Sequence, residues 1–166
     1  MAIVYISIGS NLGDREENCR KTISLLKEKG IAVKKQSSVH ETEPWGVKDQ
    51  PKFINRAIEV EIDKEPEELL GILKEIEKEI GRTETTKWGP RVIDLDILFY
   101  DDLILKTDNL EIPHPLLHER EFVLEPLCEI APDKKHPVTG KTVKEMIKNL
   151  KHNFLDSFLR IPLKFS

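Results

Sequence analysis

The stretch Trp88-Gly89-Pro90-Arg91-Val92-Ile93-Asp94-Leu95-Asp96-Ile97-Leu98-Phe99-Tyr100 concentrates the residues that could do chemistry. Residues two apart on a strand share a face, so Asp94 and Asp96 point one way while Ile93, Leu95, Ile97 and Phe99 point the other. Two carboxylates side by side repel, and a hard divalent cation such as Mg²⁺ relieves that repulsion. Such an ion takes few protein carboxylates and fills its remaining positions with water and phosphate oxygens. On its own, such a pair in so charged a chain reads as a solvated face. Arg91, three residues earlier at the mouth of a Gly-Pro loop, changes the reading, because it sets a fixed cation beside the phosphates the metal would hold.

A second constellation runs from Glu41-Thr42-Glu43-Pro44-Trp45-Gly46 through Asp49-Gln50-Pro51 to Phe53-Ile54-Asn55. Thr42 and Asn55 offer hydrogen bonds and Phe53 a flat apolar face, which together describe a slot for a planar heterocycle. Taken alone, the same residues read as a surface loop with Phe53 in the core. Ile112-Pro113-His114-Pro115 holds a histidine between two prolines, either a rigid presentation or a simple turn, with His118, Arg120 and Phe122 close behind. Familiar nucleotide loops are missing. Gly9-Ser10-Asn11-Leu12-Gly13 is neither the dinucleotide nor the Walker pattern and reads as a structural turn. Gly140-Lys141-Thr142 would need glycine where Lys135 stands. Protein-kinase and Ser/His/Asp hydrolase patterns are absent too.

These residues need elements to position them. Ile3 to Ile8 reads as a strand, closed by a turn and an N-cap at Asp14. Cys19, Thr22, Ile23 and Leu26 fall at helical spacing before a C-cap at Gly30. Ile31 to His40 reads as a second strand and Glu41 to Pro51 as a loop. Phe53 to Ile62 alternates as a third strand, with Ile54, Ile58, Val60 and Ile62 on one side and Arg56 the exception there. Pro66 opens a helix to Ile80 that carries Leu69, Leu70, Leu73, Ile76 and Glu77, ended by Gly81. A loop from Arg82 to Pro90 leads to a fourth strand, Val92 to Tyr100. A hairpin through Ile112, a short helix after Pro115 and a last helix near Val143 to Asn149 complete the chain. The order βαββαβ predicts an α+β, ferredoxin-like antiparallel sheet with helices on one face, plus C-terminal hairpin and helical additions. That fold hosts many unrelated activities.

The 166 residues fit one domain, 1–166. Hydrophobic residues make up 39% and charged residues 34%, against roughly a quarter charged in an average soluble protein, so the chain reads as globular with an ionic surface, not as disordered or collagen-like. No apolar run approaches the roughly 18 residues that span a bilayer, and no secretory leader opens the chain, so a cytoplasmic location is expected. The net charge of -4 gives no support to nucleic-acid or membrane binding. Cys19 and Cys128 sit in apolar patterns without metal-type spacing and read as core thiols. With 19 Lys, 20 Glu and only Gln36 and Gln50, the composition resembles that of heat-adapted proteins. A melting temperature below about 55 °C would contradict that.

The segment Trp88 to Ile97 resembles the 6-hydroxymethyl-7,8-dihydropterin pyrophosphokinases of folate biosynthesis. So do Gly9 to Gly13, Thr42 to Gly46, Gln50-Pro51, Phe53, Asn55 and Pro113-His114-Pro115. The resemblance runs in register from Ile3 to about Pro132 and leaves the tail from about Leu150 unmatched. It implies transfer of the β,γ-diphosphate of MgATP to the pterin hydroxymethyl group with release of AMP, using two Mg²⁺ ions. Asp94 and Asp96 are then the ligands of both ions. Arg82 and Arg91 grip the phosphates, and Trp88 closes over the nucleotide. His114 and Arg120 contact the triphosphate, and Glu77 and Ile97 lie near the adenosine. Thr42, Pro44, Trp45 and Asn55 recognise the pterin between Phe53 and Phe122, and Gly46, Gly81 and Gly89 let two loops swing. Lys87, Thr83 or Glu84, and Pro115 depart from the pattern, which bears on nucleotide affinity and loop closure. The implied partners are ATP and the pterin, with a monomer expected and a homodimer left open.

Two other readings make different predictions. A non-catalytic module for a small ligand or RNA wants a basic sheet face with exposed aromatics, against the 6% aromatic content here. A metal-dependent nucleotide hydrolase shares the aspartates and predicts turnover without pterin.

Overall fold

A computed structural model describes residues 1–42, 52–81 and 92–151. Strand β1 (Ala2–Ser10) leads through an Asp14 cap, whose carboxylate accepts from Glu17 N, into helix α1 (Arg15–Glu28). Strands β2 (Ala32–Gln36), β3 (His40–Thr42) and β4 (Phe53–Ile62) follow, then helix α2 (Pro66–Glu79) and strand β5 (Asp94–Tyr100). A small hairpin, β6 (Leu105–Lys106) with β7 (Glu111–Ile112), precedes helix α3 (Glu121–Ile130). The chain is helical again over 143–151, as helix α4. Pairing is antiparallel throughout, in the order β2-β4-β1-β5, with β3 continuing the β2 edge along β4.

β1 lies at the centre of the sheet and is buried along nearly its whole length. That is what a strand covered on both faces requires. Val4, Ile6 and Ile8 join Ile23, Leu26, Leu69, Leu73 and Ile76 in the core under α1 and α2. Fully burying a side chain such as Leu73 stabilises by about 2 kcal/mol. Tyr5, Ala57 and Phe99 form a second core on the other face with Leu124, Leu127, Val143 and Met146. The expectation of helices on one face is therefore corrected. The α3 and α4 additions cover the second face because Tyr5 of β1, Ala57 of β4 and Leu98 and Phe99 of β5 present apolar surface there.

Three local expectations also change. The second edge strand does not run unbroken from Ile31 to His40. The Ser37 hydroxyl takes the Ala57 N–H at 2.9 Å in place of a backbone carbonyl, so pairing breaks and resumes at His40. Glu41 and Thr42 consequently sit in β3 opposite Ile54 and Phe53, not in a loop. In β5 the register jumps from Tyr5↔Phe99 to Ile6↔Ile97, leaving Leu98 as an extra residue. Such a bulge reverses the faces beyond it, so Phe99 leaves the Leu95–Ile97 core for the opposite one. Cys19 is a core thiol, whereas Cys128 is only partly buried. Among the described residues, no helix is long and apolar enough to cross a membrane.

Candidate active site

The site lies on the face of β4, β1 and β5 that carries α3. Two rows of residues cross the three strands there, Asn55–Gly9–Asp94 and Ala57–Ser7–Asp96. Period two therefore places Asp94 and Asp96 on one face, Asp94 half-buried and Asp96 exposed. The residues beside them on β1 are a glycine and a serine. β5 forms the edge of the sheet, which leaves its outer side open to a ligand.

The end of β1 and the first turns of α1 hold the start of β5 in place. Ser10 Oγ donates to Val92 O at 2.6 Å, and Asn18 Nδ2 donates to the same carbonyl at 3.2 Å and to Leu12 O at 2.9 Å. Gly9 and Ser10 are the last residues of β1, so the expected turn begins only after them, and this strand end fastens the chain just after Arg91.

On β4, Asn55 is 5% exposed and its Nδ2 donates to Thr42 Oγ1 at 3.0 Å across the β3 pairing. Its Oδ1 and the Phe53 ring lie over Gly9, where a Cβ would stand 3.2 Å from Asn55 Oδ1 and 3.8 Å from Phe53 Cδ1. Glycine is needed here for close approach. Phe122 sits near the start of α3, with the Arg120 guanidinium 5.8 Å from its ring centroid. α3 is tied to the β3 edge by Glu129, whose carboxylate accepts from Ser38 N and Oγ at 2.6 Å each and pairs with His40 Nε2 at 2.9 Å. Those bonds from Ser38 and His40 pull the Glu129 carboxyl down to about 2. Residue spacing gave no sign of this latch.

His114 follows the Ile112–Pro113 peptide, which is cis, and its backbone N donates to Leu98 O at 3.1 Å, docking it on β5. Its Nδ1 accepts from Leu116 N at 3.3 Å, leaving Nε2 to carry the proton. Burial holds the imidazole below its usual range, with Asp96 opposing and Arg120 reinforcing that shift. The group near the carboxylates at neutral pH is therefore an uncharged N–H donor.

Glu77 and Ile97 are placed differently. Both face the α1–α2 side, 2% and 4% exposed. Glu77 Oε2 accepts from Leu95 N at 3.0 Å, so this carboxylate braces the strand that bears the aspartates. The expected residues Pro44, Trp45, Arg82, Trp88 and Arg91 lie outside the described residues. Gly46, Gly89, Thr83, Glu84 and Lys87 do as well, while Gly81 ends α2 at φ +98°. The Gly140-Lys141-Thr142 stretch follows a turn at 137–139 and returns to bridge Lys135 through Thr142, whose Oγ1 caps the next helix by accepting from Glu145 N.

A family model described as 7,8-dihydro-6-hydroxymethylpterin-pyrophosphokinase (HPPK) matches residues 5–132. The chain is 44% identical over 145 residues to the 2-amino-4-hydroxy-6-hydroxymethyldihydropteridine pyrophosphokinase of Aquifex aeolicus, covering 87% of this chain and 90% of that protein. It is 43% identical over 148 residues to the Bacillus subtilis protein of the same name, covering 88% and 89%. Against the folic acid synthesis protein FOL1 of Dictyostelium discoideum, identity is 47% over 148 residues, and the chain spans 22% of that longer protein. A solved HPPK-DHPS in complex with substrates superposes with TM-score 0.75 at 15% identity, covering 95% of this chain and 47% of that one. Wild-type Plasmodium falciparum HPPK-DHPS with pteroate gives 0.69 at 18%, covering 89% and 42%. At such identities these two likenesses speak for the fold.

Proposed function

The chain belongs to the 7,8-dihydro-6-hydroxymethylpterin-pyrophosphokinase family, and from that premise we propose how its own residues divide the work. It is an ATP-dependent transferase that moves pyrophosphoryl from ATP to hydroxymethyldihydropterin in folate synthesis. The hydroxymethyl oxygen bonds to the β-phosphorus, the bond from that phosphorus to the α–β bridging oxygen breaks, AMP leaves with the bridging oxygen, and the hydroxyl proton passes to solvent. Such transfer asks a protein for positioning and charge neutralisation, with no protein nucleophile.

The single observation that carries the residue assignment is the pair of cross-strand rows. They set Asn55, with its partner Thr42, two strands from Asp94 and Asp96 across the small residues Gly9 and Ser7 of β1, and Phe53 lies two residues before Asn55 on β4. The donor set fits Mg²⁺, because two hard carboxylate oxygens share a face. Among the described residues no cluster of three His, Cys, Asp or Glu suits a metal ion, so the remaining positions fall to nucleotide oxygens and water. Two ions held by Asp94 and Asp96 would neutralise the phosphate charge and align the donor with the acceptor. Neutral His114 Nε2–H and Arg120 hold phosphate oxygens, and Arg82 and Arg91 follow the charge that develops in transfer. Thr42 and Asn55 read the polar edge of the pterin with Pro44 and Trp45, while Phe53 and Phe122 cover its two faces. Trp88 closes over the nucleotide and excludes water. Glu77 and Ile97 meet the adenosine only where it crosses the β5 edge. No residue is assigned as general base.

The order β5-β1-β4-β2 supports a ferredoxin-like sheet. We also read residues 1–166 as one domain of a cytoplasmic protein that works as a monomer. Asp96→Ala tests the assignment. Because Asp96 is exposed, the fold should persist while kcat falls by at least about 10³; activity within tenfold of wild type contradicts it. Arg91→Ala should lower kcat, and a change in KM alone would make that residue only a binder.

A further inference from the structure

β4 breaks its own pattern once. Ile54, Ile58, Val60 and Ile62 enter the core under α1 and α2, but at Arg56, in register with Ile8, the same face receives a guanidinium. Arg56 Nη1 donates to Gln36 Oε1 at 3.3 Å, while its Nε is shut off from solvent and has no acceptor among the described residues. A buried charged donor left unsatisfied is costly, and native proteins satisfy nearly all such groups, with ordered water or a bound ion where protein partners are lacking.

Around this guanidinium lies a pocket of about 460 Å³. α1 contributes Glu16, Arg20, Ser24 and Lys27, and the facing strands contribute Gln36 and Arg56. Three cations thus meet one carboxylate within a chain whose net charge is -4. Arg20 also pairs with Glu17 at 2.9 Å, with 72% of its side chain exposed. Ser24 and Gln36 add neutral donors. The pocket is separate from the phosphate site described above, since Asn55 and Arg56 are consecutive on β4 and face opposite sides of the sheet.

We propose that this pocket binds the oxyanion of a small metabolite, a phosphate or a carboxylate group, with Arg56 as its fixed ligand and Arg20 and Lys27 as outer ones. The occupant meets the guanidinium at its pocket edge, beside the Nη1 bond to Gln36, and offsets the positive charge that Arg56, Arg20 and Lys27 bring together. Bound there, it favours the folded state and braces β4 behind Asn55.

The test is a ¹⁵N–¹H NMR titration of the full chain with inorganic phosphate and, separately, with citrate. The Arg56 Nε–Hε peak and the Ser24 and Gln36 amides should shift saturably. Response to both probes assigns a general oxyanion site, to phosphate alone a phosphate site, and to citrate alone a carboxylate site; each supports the proposal. Arg56→Met should abolish these shifts while phosphate still perturbs Asp94 and His114. Should Arg56→Met fail to fold, the surface double variant Arg20→Gln/Lys27→Gln carries the test. Removing two cations there should raise Kd about tenfold. Absence of saturable shifts with either probe, or unchanged affinity in the variants that fold, overturns the proposal.

Discussion

Replacing Gly9 with alanine should separate catalysis from stability. The new Cβ would stand 3.2 Å from Asn55 Oδ1, 3.8 Å from Phe53 Cδ1 and 3.9 Å from Ile54 O. Only the first is tighter than ordinary contact, so Asn55 must retreat by about 0.3 Å. Its Nδ2 already holds Thr42 Oγ1 at 3.0 Å, and the retreat stretches that bond or drags Thr42 with it. Weakening one neutral hydrogen bond costs about 1 kcal/mol. Alanine gives back about 0.4–1 kcal/mol by restricting the unfolded chain, because no positive φ stands against it at this position. The two effects nearly cancel, and the melting temperature should move by less than about 3 °C. Catalysis is less tolerant, since a misplacement of about 1 Å can cost a hundredfold. A shift of a few tenths should therefore lower kcat/KM for the pterin about tenfold, or about 1.4 kcal/mol. The three nearest contacts all lie on β4 and none on Asp94, so the KM for ATP should stay within about twofold. The assay measures AMP release with each substrate varied at saturating levels of the other, beside a thermal melt. A pterin kcat/KM within twofold of wild type would refute the reasoning. A melting temperature lowered by more than about 10 °C would instead make the change one of folding.

Two further predictions concern groups that position the site. Glu129→Gln removes the charged acceptor of Ser38 and His40. With 40% of that side chain exposed, screening leaves about 1 kcal/mol, seen as a fall of about 3 °C in melting temperature at pH 7. Because the folded carboxyl lies near 2 and below its usual 4.5, its contribution is complete above about pH 4.5. The wild-type advantage in urea midpoint should therefore shrink as pH falls from there toward 2, and an advantage that grows on acidification would contradict the latch. Glu77→Ala leaves the buried Leu95 N–H without its acceptor and should cost about 1–3 kcal/mol in denaturant unfolding. A loss under about 0.5 kcal/mol would mean that Glu77 does not brace β5.

The aspartate pair was legible because period two on a strand is a local rule, and Asp94 and Asp96 obey it. Phe99 was not, since the bulge at Leu98 depends on how β5 must meet β1. The break at Ser37 turns on one hydroxyl competing with a carbonyl, which strand propensity does not express. The covering of the second face had a faint signal in Tyr5, a large ring among the apolar residues of β1 on the face opposite Val4 and Ile6. The Glu129 latch had none, because it joins residues 89 and 91 positions apart whose charges look like ordinary surface ones. Arg56 was visible as a break in the β4 pattern, but its meaning required the pocket around it.

The most direct test of the central claim is to follow nucleotide products from MgATP with and without 6-hydroxymethyl-7,8-dihydropterin. Diphosphate transfer predicts pterin-dependent AMP, in amounts equal to the pterin diphosphate formed, and no ADP. Release of ADP, or turnover that does not need the pterin, would contradict it.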